Sequence, residues 1–313
     1  MKSPSILILA IFASAAAPAW GQAGQAGAFL RQDATARAAA LGGAVTALAD
    51  DSSALLQNPA GLAKLAKPEV GATHIVLFED TSFDYITGGL ASQRWGGFAF
   101  GYAHQASGGF EARQGPNDSP TDFSITQTAF LGGWGRSFDV PGLKGSSWAP
   151  RSKPLSVGVA VKAVSESIGS ASAAGHGADI GALFQPDDHL SFGLAVSNLF
   201  APSLTYVSQP VAYPRVVDVS PAYHWNLSTD VRALAAVKVS KTDGESALIS
   251  GGVELQYQKL LAIRLGTRDK SLTTGIGVRL GNSSFDYAAQ LGDLGVGNFF
   301  TFTQRFGQTP EEL

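Results

Sequence analysis

The chain has 313 residues, a formal net charge of −3 at pH 7 and no cysteine, and only 15% of its residues are charged. Without cysteine it can hold neither a disulfide framework nor a lipid-modified cysteine, and thiolate catalysis is excluded. The weak net charge, with no basic run, argues against nucleic acid as a partner. Soluble domains carry about 25% charged residues, so this low charge, together with 37 glycines and 18 phenylalanines, favours an exported β-barrel.

Residues 1–23 are predicted to be a signal peptide that is cleaved on export. Lys2 supplies a positive start, and residues 6–17 form a short apolar run. Small residues that suit signal peptidase follow at Ala19, Gly21 and Ala23, and cleavage is expected after Ala23. The run is shorter than the roughly 20 apolar residues of a membrane helix. A buried helix remains the alternative interpretation of this stretch.

The next stretch, residues 24–67, is predicted to be a mainly helical plug. Between residues 36 and 63 its apolar positions are mostly Ala, Leu and Val, with small residues between them. A helix of this kind can pack closely against another surface, but it lacks the bulk to build a core alone. We therefore expect it to fill the interior of something larger.

Residues 68–306 are predicted to form an antiparallel transmembrane barrel. Apolar residues alternate with small or polar ones along most of this region, as in LSVGVAVK at residues 155–162. A soluble sandwich would alternate in the same way, with its apolar face turned to a core, so that fold stays open. Most of the expected strands have close to the roughly 9 to 11 residues that cross an outer membrane. The fourteen expected strands lie at residues 69–78, 83–93, 97–106, 123–137, 154–166, 175–185, 189–199, 214–226, 229–240, 246–257, 260–268, 272–281, 283–291 and 297–306.

The connections between these strands predict the orientation of the barrel. An even number of strands returns both chain ends to the periplasm, where very short turns are expected. Three longer connections then face outward, at residues 107–122, 167–174 and 201–213. The connection at residues 139–154 is long yet falls on the periplasmic side, which is an exception to the pattern. Residues 307–313 are expected to be a periplasmic tail.

The last strand ends in aromatic residues that share one face. Phe300, Phe302 and Phe306 are separated by even numbers of residues. This arrangement resembles the C-terminal signal that barrel-assembly machinery recognises, although seven residues follow Phe306. Aromatic girdles at the membrane interfaces produce the same pattern, so both explanations stand.

Both ends of the mature chain resemble the PorV/PorQ group, which belongs to the wider superfamily of the FadL fatty-acid transporter. At the amino-terminal end the resemblance rests on GAFL at residues 27–30, ARAAALGGA at 36–44, ALADDSSA at 47–54 and NPAGLA at 58–63. At the other end it rests on FDY at residues 285–287, GDLG at 292–295 and the Phe-rich last strand. The middle of the chain matches by strand pattern alone.

The resemblance implies a fourteen-stranded outer-membrane barrel whose amino-terminal segment folds into the lumen as a hatch. Asn58 precedes a proline and so favours an extended or turn conformation that ends a helix. Asp50 and Asp51 are expected to cap neighbouring turns, and Arg37 is expected to pair with a lumen carboxylate. The hatch and gating candidates are therefore Arg37, Asp50, Asp51, Asn58, Pro59 and Ala60.

Charged residues of both signs are expected on the inward face of the strands, where burying an unpaired charge would be costly. They are expected to pair across the wall or with the hatch. These lumen charges are Lys162, Asp179, Asp218, Arg232, Lys238, Glu254, Arg264, Arg279, Asp286 and Arg305. The five histidines lack metal-ligand spacing, and no nucleophile motif has a strand-turn-helix context, so no metal, cofactor or enzymatic activity is expected.

The resemblance leaves two main functions in competition. The first is a plugged outer-membrane channel for the passage or binding of a small hydrophobic molecule, with a hatch that shifts to open it. The second is a PorV-like component of the type IX secretion machinery that receives cargo at the outer membrane of a Gram-negative-type cell. A scaffold barrel is a third possibility. The expected partners are outer-membrane lipid together with either a hydrophobic solute in the lumen or secreted cargo and secretion-machinery proteins.

Overall fold

The computed structural model describes residues 26–78, 80–113, 115, 119–140, 154–206, 209–292 and 295–307. The predicted signal peptide at residues 1–23 and the last six residues of the predicted tail lie outside this part of the chain. The connection 139–154 is described only at its ends.

In the described residues from 26 onward, four short helical elements precede the first strand. They are a 3₁₀ helix at Ala28–Arg31, α1 at Ala36–Ala40, α2 at Ala54–Gln57 and a second 3₁₀ helix at Pro59–Lys64. Isolated helices shorter than about 12 residues are marginal in water, so these elements depend on packing for their shape. Within the described residues, no helix combines the length and apolarity that crossing a membrane requires.

Sixteen strands follow in the described part of the chain. They are β1 (Glu69–Val76), β2 (Thr81–Ser92), β3 (Gly96–Ala112), β4 (Thr121–Phe138), β5 (Leu155–Ile168), β6 (Ala171–Phe184), β7 (Leu190–Phe200), β8 (Ser203–Thr205), β9 (Pro210–Ala212), β10 (Val216–Asn226), β11 (Val231–Thr242), β12 (Leu248–Tyr257), β13 (Leu261–Arg268), β14 (Ser271–Leu280), β15 (Ser283–Gly292) and β16 (Gly295–Arg305).

Fourteen of these described strands close an antiparallel barrel, which confirms the predicted all-β, fourteen-stranded architecture. Each barrel strand pairs with its neighbours in sequence, except that β7 pairs directly with β10 because β8 and β9 form a separate hairpin. The barrel closes where β1 pairs with β16, from Glu69 opposite Arg305 to Val76 opposite Asn298. The chain therefore enters and leaves the wall at one end. We call this the terminal end and the opposite one the distal end.

The apolar face of the strands is turned outward. Along β1, buried and exposed residues alternate without exception. Large apolar side chains are exposed on the outside of the wall, and Phe100 and Phe130 keep 65% and 63% of their surface accessible. A soluble sandwich would turn these side chains to a core, so the sandwich alternative is wrong. An apolar outer band of this kind is typical of barrels that sit in a membrane.

The predicted distal connection at residues 107–122 is wrong, because β3 and β4 extend far into it. The pairing shifts between Ser107 and Phe110, which marks a bulge at the two glycines that indicated a loop. Beyond the bulge the rings of Phe110 and Phe123 stack across the two strands, with their centroids 5.3 Å apart. The glycines therefore bend the hairpin without ending it.

Two other predicted distal connections also contain strand. Between β5 and β6 the predicted loop 167–174 shrinks to a two-residue turn, where Gly169 adopts a φ of 57° that suits glycine. The predicted loop 201–213 holds the small β8–β9 hairpin.

Candidate functional site

The interior of the barrel contains residues 26–67, here called the inner segment. It bonds to the inward face of the wall at widely separated points. The backbone N–H of Ala36 donates to Thr301 Oγ1 at 2.8 Å, and the Thr273 hydroxyl donates to the carbonyl of Ala40 at 3.1 Å. Among the described residues the inner segment adds no strand to the barrel.

Side-chain caps shape two of the helical elements of the inner segment. Thr35 caps α1 by accepting a bond from the N–H of Ala38 at 3.2 Å. Asn58 caps the second 3₁₀ helix by accepting from the N–H of Ala60 at 3.1 Å, and Pro59 occupies the first helical position.

Asn58, predicted as a gating candidate, also fixes the inner segment to the wall. Its Nδ2 donates to the carbonyl of Thr46 at 2.8 Å and to the carbonyl of Ala182 in β6 at 3.1 Å. The side chain is completely buried. Asn58 thus joins two parts of the inner segment to one wall strand, while Pro59 and Ala60 lie buried beside it.

Wall glycines form the surface on which the inner segment rests. At each of them an added Cβ would come within 3.0 Å of an atom of the inner segment. We call them the glycine seat: Gly97, Gly133, Gly135, Gly158, Gly181, Gly193, Gly252, Gly266 and Gly275. Because their inward side has no side chain, the backbone of the inner segment can lie directly against the wall. The sequence analysis noted the small inward residues but gave them no role.

An ion-pair network joins the inner segment to strands β12, β13 and β15. Arg37 lies 3.2 Å from Asp50 Oδ1 and 3.4 Å from Glu254 Oε2. Arg264 contacts Glu254 at 2.5 Å and Asp286 at 2.6 Å. The network therefore contains three of the predicted lumen charges and two of the predicted hatch residues.

The other predicted lumen charges are distributed around the wall. Lys162 pairs with Asp179 at 2.7 Å, and both are nearly inaccessible to solvent. Lys238 lies 3.8 Å from Asp218, and Arg305 lies 3.2 Å from Glu69. Arg232 and Arg279 are exposed at the terminal end of the barrel. The sequence indicated the charges and their inward face, but it did not indicate Glu69 as a partner.

Two polar cavities flank the inner segment. The cavity at the terminal end has a volume of about 650 Å³ and is bordered by Arg37, Glu254, Arg264 and Arg279. The distal cavity has a volume of about 80 Å³ and is bordered by Lys162, Asp179 and Lys238, among others. Charged side chains therefore line the spaces on both sides of the inner segment.

The β8–β9 hairpin lies against β6, and two tyrosines that flank its strands bond to a buried carboxylate. The hydroxyls of Tyr206 and Tyr213 both donate to Glu166 of β5. Burial, followed by the contact with Glu166, raises the pKa of both tyrosines well above their usual value. The ring of Tyr213 also lies against Gly27, so the hairpin touches the wall and the inner segment together.

The described residues contain no group of three or more His, Cys, Asp or Glu side chains arranged to hold a metal ion. His74 illustrates this, because its partner Asp84, at 2.7 Å, lies with it on the outer face of the barrel.

Comparisons with known proteins identify one matching family model and several solved structures of similar fold. A family described as an uncharacterised protein family (UPF0164) matches residues 13–120. No protein among the curated ones matches the chain. The toluene transporter TodX of Pseudomonas putida is 12% identical, with a TM-score of 0.55 over 88% of this chain and 98% of its own. The monoaromatic hydrocarbon channel CymD is also 12% identical, with a TM-score of 0.54 over 88% and 98% of the two chains.

A FadL homologue of Pseudomonas aeruginosa is 13% identical, with a TM-score of 0.50 over 85% of this chain and 96% of its own. At such identities the likeness shows a shared fold, which is that of the FadL-like outer-membrane barrels. The FadL-like barrel fold implied by the resemblance is therefore confirmed, whereas membership of the superfamily stays a prediction. The narrower PorV/PorQ resemblance stays a prediction.

Proposed function

We propose that the protein is a plugged outer-membrane channel that binds or passes a small hydrophobic molecule, and that residues 26–67 act as its hatch. In this proposal the protein reaches the outer membrane of a Gram-negative-type cell after cleavage of its signal peptide. Outer-membrane lipid surrounds the apolar band of the wall. The protein has no catalytic role in this proposal.

The way the inner segment is attached carries the proposal. It is held by side-chain contacts and by close packing on the glycine seat, whereas the wall is held by continuous ladders of backbone hydrogen bonds. The contacts of the segment can therefore break while the barrel stays closed. This difference is what a movable plug requires.

The solved structures support the proposal by analogy. TodX is described as a toluene transporter and CymD as a monoaromatic hydrocarbon channel. A shared fold does not by itself establish a shared function, so the analogy only selects the class of solute to be tested first.

The type IX secretion and scaffold functions stay as hypotheses that follow from the PorV/PorQ resemblance. Secreted proteins with a common C-terminal domain that copurify with the barrel would support the secretion hypothesis. A lipid or hydrophobic solute that copurifies in the lumen would support the channel.

Cysteine crosslinks give a direct test, because the natural chain has no cysteine. The hydroxyls of Ser52 in the inner segment and Thr87 in β2 lie 2.8 Å apart, so S52C/T87C would join the segment to the wall. The hydroxyls of Ser137 in β4 and Ser156 in β5 lie 2.9 Å apart, so S137C/S156C would join two wall strands and serves as a matched control.

The assay is uptake of radiolabelled toluene into vesicles that contain the purified barrel, before and after reduction. We expect the oxidised S52C/T87C protein to lose uptake and to regain it with reductant, while oxidised S137C/S156C resembles the cysteine-free protein. If the S52C/T87C crosslink leaves uptake unchanged, a moving hatch is wrong. If the cysteine-free protein gives no uptake above empty vesicles, the channel function for this solute is wrong.

A further inference from the structure

A small cavity between the inner segment and the wall is lined mainly by residues with oxygen-bearing side chains. Its volume is about 10 Å³, which is enough for one water molecule or one small ion. Two carboxylates line it, from Asp51 of the inner segment and Glu69 of β1, together with Ser and Thr hydroxyls from the inner segment, β1, β2 and β16. No nitrogen-bearing side chain borders this cavity among the described residues.

Tyr85 provides a second and independent observation that points to a ligand at this cavity. Its side chain lines the same cavity and is only 2% exposed. Its hydroxyl is buried and has no hydrogen-bond partner among the described residues. An unsatisfied buried hydroxyl destabilises a protein, so a bound species that uses this oxygen is expected.

The charges around the cavity leave one carboxylate oxygen available. Glu69 accepts from the N–H of Ser52 at 2.7 Å through Oε1, and its Oε2 lies 3.2 Å from Arg305. Among the described residues, Asp51 forms its hydrogen bonds through Oδ1, which accepts from both the N–H and the hydroxyl of Ser53. When both carboxyl groups are ionised, they and the Arg305 guanidinium together carry one negative charge.

The environment of Asp51 makes that charge expensive. Asp51 is partly buried, and its hydrogen bonds among the described residues come from the neutral N–H and hydroxyl of Ser53, which leave a carboxylate there without a cationic partner. The nearest guanidinium of the inner segment, that of Arg37, is already in contact with Asp50 and Glu254. The site thus favours a positive species beside Asp51.

We propose that this cavity binds one monovalent cation of the size of Na⁺, held by Asp51, Glu69, the Tyr85 hydroxyl and the surrounding Ser and Thr hydroxyls. Hard cations prefer oxygen ligands, and one net negative charge balances a single positive one. Ca²⁺ takes six to eight oxygens and usually several carboxylates, so the site fits it less well. We call this the cation site.

An entry route exists from the terminal cavity. Thr35, Asp51 and Glu69 border both the cation site and the 650 Å³ cavity, so the two spaces adjoin. An ion can therefore arrive from the terminal end without opening the wall.

The position of the cation site gives it a consequence for the inner segment. Asp51 and two serines come from the segment, whereas Glu69, Tyr85 and the threonines of β1, β2 and β16 come from the wall. A cation bound between them stabilises only the docked segment. Sodium should therefore reduce the population in which the segment is released.

Proteolysis of the full-length barrel in detergent measures that population. Trypsin can cleave after Arg37 only when the inner segment leaves the lumen, and mass spectrometry reports this cut specifically. The cleavage rate is compared in NaCl and in choline chloride at the same ionic strength. An unstructured peptide that spans Arg37 corrects for any effect of sodium on trypsin itself.

Three variants distinguish the residues that would bind the cation from a residue next to the cation site. Asp51→Asn removes the free carboxylate, and Tyr85→Phe removes the unpartnered hydroxyl without changing the shape of the ring. Asp50→Asn is the matched control, because Asp50 is the adjacent carboxylate yet does not border the cation site.

At a sodium concentration about ten times its Kd, cleavage of the wild-type protein should be about tenfold slower than in choline. Asp51→Asn and Tyr85→Phe should lose this protection, whereas Asp50→Asn should keep it. Sodium NMR should show line broadening that Tyr85→Phe abolishes.

Three results would overturn the cation site. The first is equal wild-type cleavage in the two salts, which means that the cavity holds only water. The second is protection by Ca²⁺ but not by Na⁺, and the third is full sodium protection in Tyr85→Phe. None of these outcomes depends on transport of a solute, so this test and that of the channel can fail separately.

Discussion

Gly158→Ala should dislodge the inner segment while leaving the wall intact. Gly158 lies on the inward face of β5, and an added Cβ would lie 2.5 Å from the backbone nitrogen of Ala60 and closer still to the carbonyl of Pro59. Ordinary contacts of this kind need about 3.5 Å or more, so the turn must retreat by roughly 1 Å. The atoms in the way belong to backbone, which cannot rotate aside.

The expected cost follows from what the displaced turn loses. Overpacking costs about 1 to 3 kcal/mol, and weakening the two bonds from Asn58 to Thr46 and Ala182 adds about 0.5 to 1.5 kcal/mol each. Part of this strain relaxes, so we expect docking of the inner segment to weaken by about 2 to 4 kcal/mol. This corresponds to a released population that is roughly 30-fold to 700-fold larger.

The assay is the tryptic cut after Arg37, followed by mass spectrometry under conditions where its rate tracks the released population. Gly88→Ala is the control, because Gly88 also lies in a wall strand but an added Cβ there would meet nothing within 4 Å. We expect Gly158→Ala to be cut far faster and Gly88→Ala to resemble the wild type. Equal rates in all three proteins would refute the idea that the glycine seat holds the segment.

Three further predictions concern the charged and hydroxyl contacts. Glu254→Gln leaves Arg37 and Arg264 with only their other carboxylate partners, so we expect docking of the inner segment to weaken by about 1 to 2 kcal/mol. Tryptic cleavage after Arg37 should then become faster and less dependent on salt. Tyr213→Phe removes one of the two hydroxyls that donate to Glu166. Amide hydrogen exchange in the β8–β9 hairpin should then become roughly tenfold faster or more, and unchanged exchange would contradict a stabilising role for this hydrogen bond. The raised pKa of Tyr213 means that the neutral phenol is favoured in the folded state, so its stabilising contact is complete below about pH 10 and is lost as the pH rises through the raised value. Hairpin exchange measured against pH should therefore accelerate only in strongly alkaline solution.

The barrel was predictable because its evidence is repeated in every strand. In each strand, the alternation of apolar and small residues indicates locally which face is turned outward. In β5 the residues with apolar side chains at 155, 157, 159 and 161 alternate with Ser156, Gly158 and Ala160. No contact between distant residues is needed to recognise this pattern.

The distal connections were harder to predict because glycine serves two purposes in such a chain. Gly109 has a φ of 74°, which suits a turn as well as a bulge. The choice between them is made by the pairing of β3 with β4 beyond the bulge, including the contact of Phe110 with Phe123. That pairing cannot be deduced from either strand alone.

The ion pairs also differ in whether the sequence alone predicts their partners. Glu254 and Arg264 lie directly opposite each other in neighbouring strands, so their pairing follows from the register of one hairpin. Arg37 reaches Glu254 only because the inner segment folds back into the lumen, 217 residues away in sequence. Sequence analysis could predict that Arg37 would find a carboxylate, but not which one.

The interior surface is divided between apolar and charged regions, and this division constrains how a hydrophobic solute can bind. The buried apolar side chains of the wall, such as Phe83 and Phe299, pack in one cluster with Phe29 and Leu55 of the inner segment. The open spaces on either side of the segment are lined by charges instead. A hydrophobic solute gains about 25 cal/mol for each Å² of apolar surface that leaves water, and the charged cavities offer it little of this gain. The apolar inner surface of the wall becomes accessible to a solute only when the inner segment moves away from it. In the proposed channel, binding of the solute and movement of the segment are therefore one coupled equilibrium, in which the solute favours the displaced state by occupying the surface that the segment leaves.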